Sequence, residues 1–351
     1  TIRGNTMAKR ILLASLIALL GTAGLAASDW PMWRFDSGRT AAGDEVLPAA
    51  DEMTQLWQRD FPPREMVWDD PLNHDLMPFD RVFEPIVHRG VMVVGFNDRD
   101  KVTGFDADTG ELLWTHYTGG PVRLAPAAAD GKVLFTSDDG YLYCLDIADG
   151  RQIWKKRGGP SGKMVLGNKR MVSSWPARGG VVVKDGTAYW AAGIWPFMGT
   201  FIYATDIESG ETKWLNDETG PSYILQPHNS PAFAGVAPQG NMAVSGNRLL
   251  VPGGRSVPAA LDIRTGKEIF FRLADNGKNG GAFVCASEQV FFNHNRDRSV
   301  HMFDSSNGDL LEKDLGEYPV VSPGKIYFSG PSIKIAESAS PGSITREVDV
   351  D

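Results

Sequence analysis

Apolar residues in this chain come in short runs cut off by Gly, Asp and Asn. Examples are Val91-Met-Val-Val-Gly95, Val102-Thr-Gly-Phe105, Lys132-Val-Leu-Phe-Thr136 and Tyr141-Leu-Tyr-Cys-Leu145. The runs are rich in β-branched and aromatic residues and too short for helices, so they predict strands. Asp130-Gly131, Asp139-Gly140 and Asp185-Gly186 lie between runs and predict tight hairpin turns, because Asp-Gly tolerates positive φ.

One phrase recurs over this pattern. Asp146-Ile-Ala-Asp-Gly-Arg-Gln-Ile-Trp154 ends one strand, turns on Gly150 and opens another strand that carries a Trp. Copies stand at Asp106 to Trp114 and Asp206 to Trp214, with Phe270 closing a fourth at Asp262 and a worn fifth at Asp304. Their turn glycines, 110, 150, 210, 266 and 308, are 40, 60, 56 and 42 residues apart. A period near 40 built from short strands predicts an all-β fold, a β-propeller of four-stranded antiparallel blades. Five blades are expected at about 82–117, 124–157, 179–215, 242–273 and 282–315, with a sixth beginning at Tyr318. Leu56-Trp57-Gln58 reads as an isolated outer strand that would complete the last blade. The period then predicts a piece of a propeller of seven or eight blades, continuing beyond Asp351.

Trp57, Trp114, Trp154, Trp214 and Phe270 are expected to dock over the glycine turn of a neighbouring blade. A ring of that size buries about 150–250 Å² and staples blade to blade. The repeated Asp residues are expected to hydrogen-bond the turn backbone.

Of 351 residues, 42% are hydrophobic and 22% charged, and the net charge is −8. That balance excludes a general nucleic-acid binder, which needs a basic surface. Residues 1–28 read as upstream sequence followed by a signal peptide at about 7–27. Lys9 and Arg10 make its basic start, Ile11 to Leu20 its apolar stretch, and Ala26-Ala-Ser28 its cleavage option. No Cys stands at the cleavage site to carry a lipid. The mature chain, 29–351, is expected in the periplasm or outside the cell, as a monomer without a membrane span. Cys144 and Cys285 fall in strands of different repeats and read as buried thiols.

The Asp-x-x-x-Gly-x-x-x-Trp phrase resembles the tryptophan-docking repeat of the pyrroloquinoline quinone (PQQ) β-propeller superfamily. That superfamily holds quinoprotein alcohol dehydrogenases and a propeller lipoprotein of outer-membrane β-barrel assembly. Trp175-Pro-Ala-Arg-Gly-Gly180, Val251-Pro-Gly-Gly-Arg-Ser-Val-Pro258 and the opening Asp29-Trp-Pro-Met-Trp-Arg34 look most like exported PQQ-like repeat proteins of bacteria. The resemblance implies PQQ and calcium as candidate cofactors. The dehydrogenases hold the quinone under a vicinal Cys-Cys disulfide and bind calcium through Glu, Asn and Asp. Here Cys144 and Cys285 are solitary, and no phrase carries over the calcium ligands or the catalytic base.

Strand direction alternates within a blade, so the loops joining blades and the loops between second and third strands share one face. All the long insertions are of these kinds: 61–80, 157–178, 194–199 and 216–240. Elaborated loops on a rigid scaffold are where function normally lies. Residues 157–178 carry Arg157, Lys163, Lys169, Arg170 and Arg178 and no acid. With Trp175, Trp195, His228 and Arg255 they make a candidate basic, aromatic-lined funnel for an anionic ligand. The alternative is a solvated charged loop over a buried Trp175. Asp69, Asp70, Asn73, His74 and Asp75 offer oxygen ligands but lack a calcium-loop spacing, and 293–298 reads as an exposed polar loop. Two functions remain in view. One is an exported scaffold binding a small anion, a glycan or a protein on this face. The other is a PQQ- and calcium-dependent oxidoreductase acting on alcohols or sugars, alone or as the propeller part of a larger enzyme.

Overall fold

In the computed structural model, the described residues are 29–43, 45–62, 83–167, 170–226, 229–254, 256–273, 280–294, 299–338 and 343–349. Six blade sheets follow one another along the chain, each built on a four-stranded antiparallel up-and-down meander; the sheet of blade 3 gains a fifth, parallel strand, Gly240–Asn241, on Gly179–Lys184. They form blades at 86–117, 127–157, 179–216, 243–273, 285–312 and 319–349. The predicted β-propeller architecture is therefore present, with the blades where the repeat placed them. Blade 2 is representative: Ala127–Ala129, Lys132–Thr136, Tyr141–Asp146 and Gln152–Arg157. Its middle strands are almost wholly buried because neighbouring blades cover both faces, while its outer strand alternates exposed and half-buried positions.

A relay of aromatic rings joins the blades. Trp57 lies on Gly110, Trp114 on Gly150, Trp154 on Gly210, Trp214 on Gly266 and Phe270 on Gly308. Each indole also donates its Nε1–H to a turn carbonyl beside the glycine it covers. The acceptors are Ala107 for Trp57 (2.9 Å), Ile147 for Trp114 (2.8 Å), Ile207 for Trp154 (3.1 Å) and Ile263 for Trp214 (2.9 Å). Asp106, Asp206 and Asp262 cap the same turns by accepting from the amides two and three residues on. Leu56-Trp57-Gln58 differs from its expected role. Trp57 docks as the others do, but its segment takes no strand, and blade 6 supplies its own outer strand, Ile344–Asp349.

Residues 30–40 make a strap along the innermost strands. Trp30 exchanges backbone hydrogen bonds with Val87 of blade 1, and Pro31 accepts from Ala128 of blade 2. Ser37, Gly38 and Thr40 accept from Val244, Ala286 and Val321 of blades 4, 5 and 6. Arg39 completes the circuit. Its guanidinium donates to the carbonyls of Val181 in blade 3 (2.9 Å), Met242 ahead of blade 4 (2.7 Å) and Trp33 (3.1 Å). The side chain is 0% exposed, and burial holds its pKa down to about 10. Inner strand edges that would otherwise stay unpaired are thus satisfied by one irregular segment. Gly38 is required there, since a Cβ would sit 2.8 Å from the Ala286 carbonyl.

Candidate functional site

The insertions fold as small pieces around blade 3. Residues 157–178 carry the hairpin Met164–Gly167 and Arg170–Ser173, and residues 216–240 carry the hairpin Tyr223–Leu225 and Pro231–Phe233. Between them, the second-to-third loop of blade 3 makes the short 3-10 turn Pro196–Met198. These pieces are laced together. The indole of Trp175 donates to the Met198 carbonyl at 2.8 Å, Thr200 Oγ1 to the Val236 carbonyl at 3.0 Å, and the Tyr203 hydroxyl to the Gly158 carbonyl at 2.8 Å.

The predicted basic residues do not converge as a group of open cations. Arg178 grips Asp138 through both Nε and Nη2, each at 2.8 Å, and Arg123 Nε holds the same carboxylate at 2.6 Å. Asp138 is 1% exposed, so this is a desolvated clamp between the turn of blade 2 and the insertion beside it. Arg170 pairs with Asp100 and donates to the Asp98 carbonyl at 2.8 Å, tying the first hairpin to blade 1. Burial pushes the Asp100 carboxyl above its ordinary value, against the pull of Arg170. Lys163 stands exposed at the foot of the hairpin, Trp175 is half-buried and Trp195 is 40% exposed. His228 and Arg255 lie outside the described residues, as do Asp69 to Asp75. Asn293, expected in an exposed loop, is instead buried and hydrogen-bonded to the Phe283 carbonyl at 2.7 Å.

The sequence reading missed the acidic partners Asp100 and Asp138. Both sit in second-to-third turns, which the alternation of strand direction sends to this same face, so the signal was present. It also missed the apolar character of the face. Leu166 and Met171 form an exposed cross-strand pair, and so do Tyr223 and Phe233, with ring centroids 5.0 Å apart. Phe197, on the loop between, is 66% exposed. A cleft of about 650 Å³ lies elsewhere, on the strap, lined by Trp30, Phe35 and Leu47 among others and by none of the predicted site residues.

A family model described as "Outer membrane protein assembly factor BamB" matches residues 43–214 and 198–316. The chain belongs to this PQQ-repeat propeller family. Among curated relatives, the alcohol dehydrogenase (quinone) dehydrogenase subunit of Gluconobacter oxydans is 30% identical over 145 residues. That match covers 37% of this chain and 18% of the relative. The tetrathionate hydrolase of Acidithiobacillus ferrooxidans is 23% identical over 196 residues, 54% of this chain and 36% of the relative. The chain thus spans well under half the length of either. Among solved structures, the quinohemoprotein alcohol dehydrogenase of Comamonas testosteroni aligns with a TM-score of 0.54 at 16% identity, covering 90% of this chain and 60% of that one. This likeness establishes the fold.

Cys144 and Cys285 are free thiols buried in blades 2 and 5, pushed up to about 12 by burial. Among the described residues, no three His, Cys, Asp or Glu side chains converge on one point. Among them too, no helix is long and apolar enough to cross a membrane.

Proposed function

We propose that this chain is the propeller body of an exported binding protein, and that its insertion-bearing face holds a polypeptide. The observation that carries this reading is the concentration of large exposed apolar side chains on three laced insertions around blade 3. Clustered exposed apolar side chains mark interaction sites more than scattered single ones do. Commitment of Arg170 and Arg178 to carboxylates favours a polypeptide over a small anion or a glycan. Scaffold rigidity supports it as well, because the ring relay and the strap hold the insertions in fixed register. Export rests on the leader at about 7–27. Kinship with quinone-dependent alcohol dehydrogenases supplies the alternative, a PQQ- and calcium-dependent oxidoreductase.

Site-specific photo-cross-linking in the expressing cell tests the binding reading. A photoreactive phenylalanine at Leu166, Phe197 or Phe233 should form covalent protein adducts. The same residue at Asp130, on the short-turn face, should form none. Absence of adducts at all three insertion positions, or equal adducts at Asp130, contradicts the proposal.

A further inference from the structure

The two hairpins that flank blade 3 are each two-stranded, and each turns an apolar side outward. Leu166 and Met171 face out from the first, Tyr223 and Phe233 from the second. In a two-stranded ribbon at the surface, polar residues belong on the outward side. Here that side is ready to be covered.

The charges of the two insertions are opposite. Residues 157–178 hold five Lys and Arg and no acid, and residues 216–240 hold Asp217 and Glu218 and no Lys or Arg. Arg170 and Arg178 are spent within the molecule. Lys163 is exposed and makes no ion pair among the described residues; the same is true of Asp217 and Glu218. One molecule therefore presents two apolar ribbons, one on the insertion that carries the exposed Lys163 and one on the insertion that carries the exposed Asp217 and Glu218.

That arrangement is self-complementary. A two-fold axis that sets the first hairpin of each copy on the second hairpin of the other covers both apolar sides at once. The same rotation brings Lys163 of each copy to Asp217 and Glu218 of its mate, twice over. Isologous interfaces are built this way, with patch i meeting patch j and j meeting i. We propose that the polypeptide held by this face is a second copy of the chain, and that the protein is a two-fold dimer rather than the monomer expected from sequence. This inference rests on the binding reading above and names its partner. Stable interfaces bury about 1,200–2,000 Å² with an apolar, aromatic-rich centre and a polar rim. The aromatic and aliphatic pairs supply the centre and the three charges the rim.

Sedimentation velocity of the purified mature protein over a concentration series, at low and at high salt, tests it. The expected result is a reversible shift from one-chain to two-chain mass, weakened by salt. Lys163→Glu should raise the dissociation constant by about tenfold or more, since like charges then face each other at both ends of the axis. Lys163→Glu combined with Asp217→Lys and Glu218→Lys should bring the dimer back. Phe233→Asp should abolish it while the circular dichroism spectrum stays native. One-chain mass at every concentration overturns the inference, and so does a dimer indifferent to the charge swap and to Phe233→Asp. The two failures are separable. Cross-links from Leu166 and Phe233 to a different protein keep the binding reading and discard the second copy, and loss of all cross-links discards both.

Discussion

The ring of Trp114 lies flat on Gly150, so close that a Cβ on that glycine would come within 2.6 Å of its Cδ2. The glycine also stands at φ 71°, a conformation that costs any other residue about 1–2 kcal/mol. Gly150→Ala therefore meets both penalties, strain in the turn and overpacking under the indole. The expected loss is at least about 2 kcal/mol, read as a lower urea midpoint.

The relay is not uniform along the chain. Trp114 is 7% exposed and belongs to a paired strand, whereas Trp57 docks from a segment that joins no sheet. Trp114→Ala should cost about 3–5 kcal/mol as a buried aromatic truncation. Trp57→Ala should release its own segment with a much smaller effect on global unfolding. Chemical denaturation together with hydrogen exchange at residues 53–60 separates the two outcomes.

Arg39 is the side chain that ties the strap to blade 3 and to the start of blade 4. Arg39→Met leaves the carbonyls of Val181, Met242 and Trp33 without its donors, at about 1–3 kcal/mol for each that water cannot reach. A total loss of at least about 3 kcal/mol is expected in equilibrium unfolding. Arg39→Lys, with fewer donors in a less suitable geometry, should fall between wild type and Arg39→Met.

Acid sensitivity should reside in the repeated turns. Asp206 is held at about 2, below its ordinary 3.8, first by the Ser209 amide and then by Lys213. Asp106 and Asp304 are lowered too, through the hydroxyls of Thr109 and Ser306. A depressed folded pKa means stability that is fully present above the unfolded value and is lost as pH falls through the folded one. Stability should therefore decline between about pH 4 and about pH 2, and Asp206→Asn should flatten part of that slope in acid-unfolding curves.

Blades, turns and ring relay were legible because they repeat. Asp, Gly and Trp at fixed spacing state a turn, its cap and its staple, and the structure places Trp154 and Trp214 as that spacing requires. The strap was not legible. Its contacts run through backbone groups of an aperiodic segment, and Arg34, Arg39 and Ala41 adopt positive φ that no local signal announces. The insertion-bearing face was half legible. Alternation of strand direction located it, but the partners of Arg170 and Arg178 lie 70 and 40 residues away, so their pairing emerges only when blades 1 and 2 are set beside blade 3.

A propeller that works through its insertions, and not through quinone chemistry, should ignore the cofactor its relatives are named for. The direct measurement is a titration of the purified mature protein with PQQ, with and without calcium, followed by tryptophan fluorescence corrected for absorbance. The expected result is no saturable quenching in either condition. Tight, calcium-dependent, saturable quenching would contradict the binding reading and establish a quinoprotein in its place.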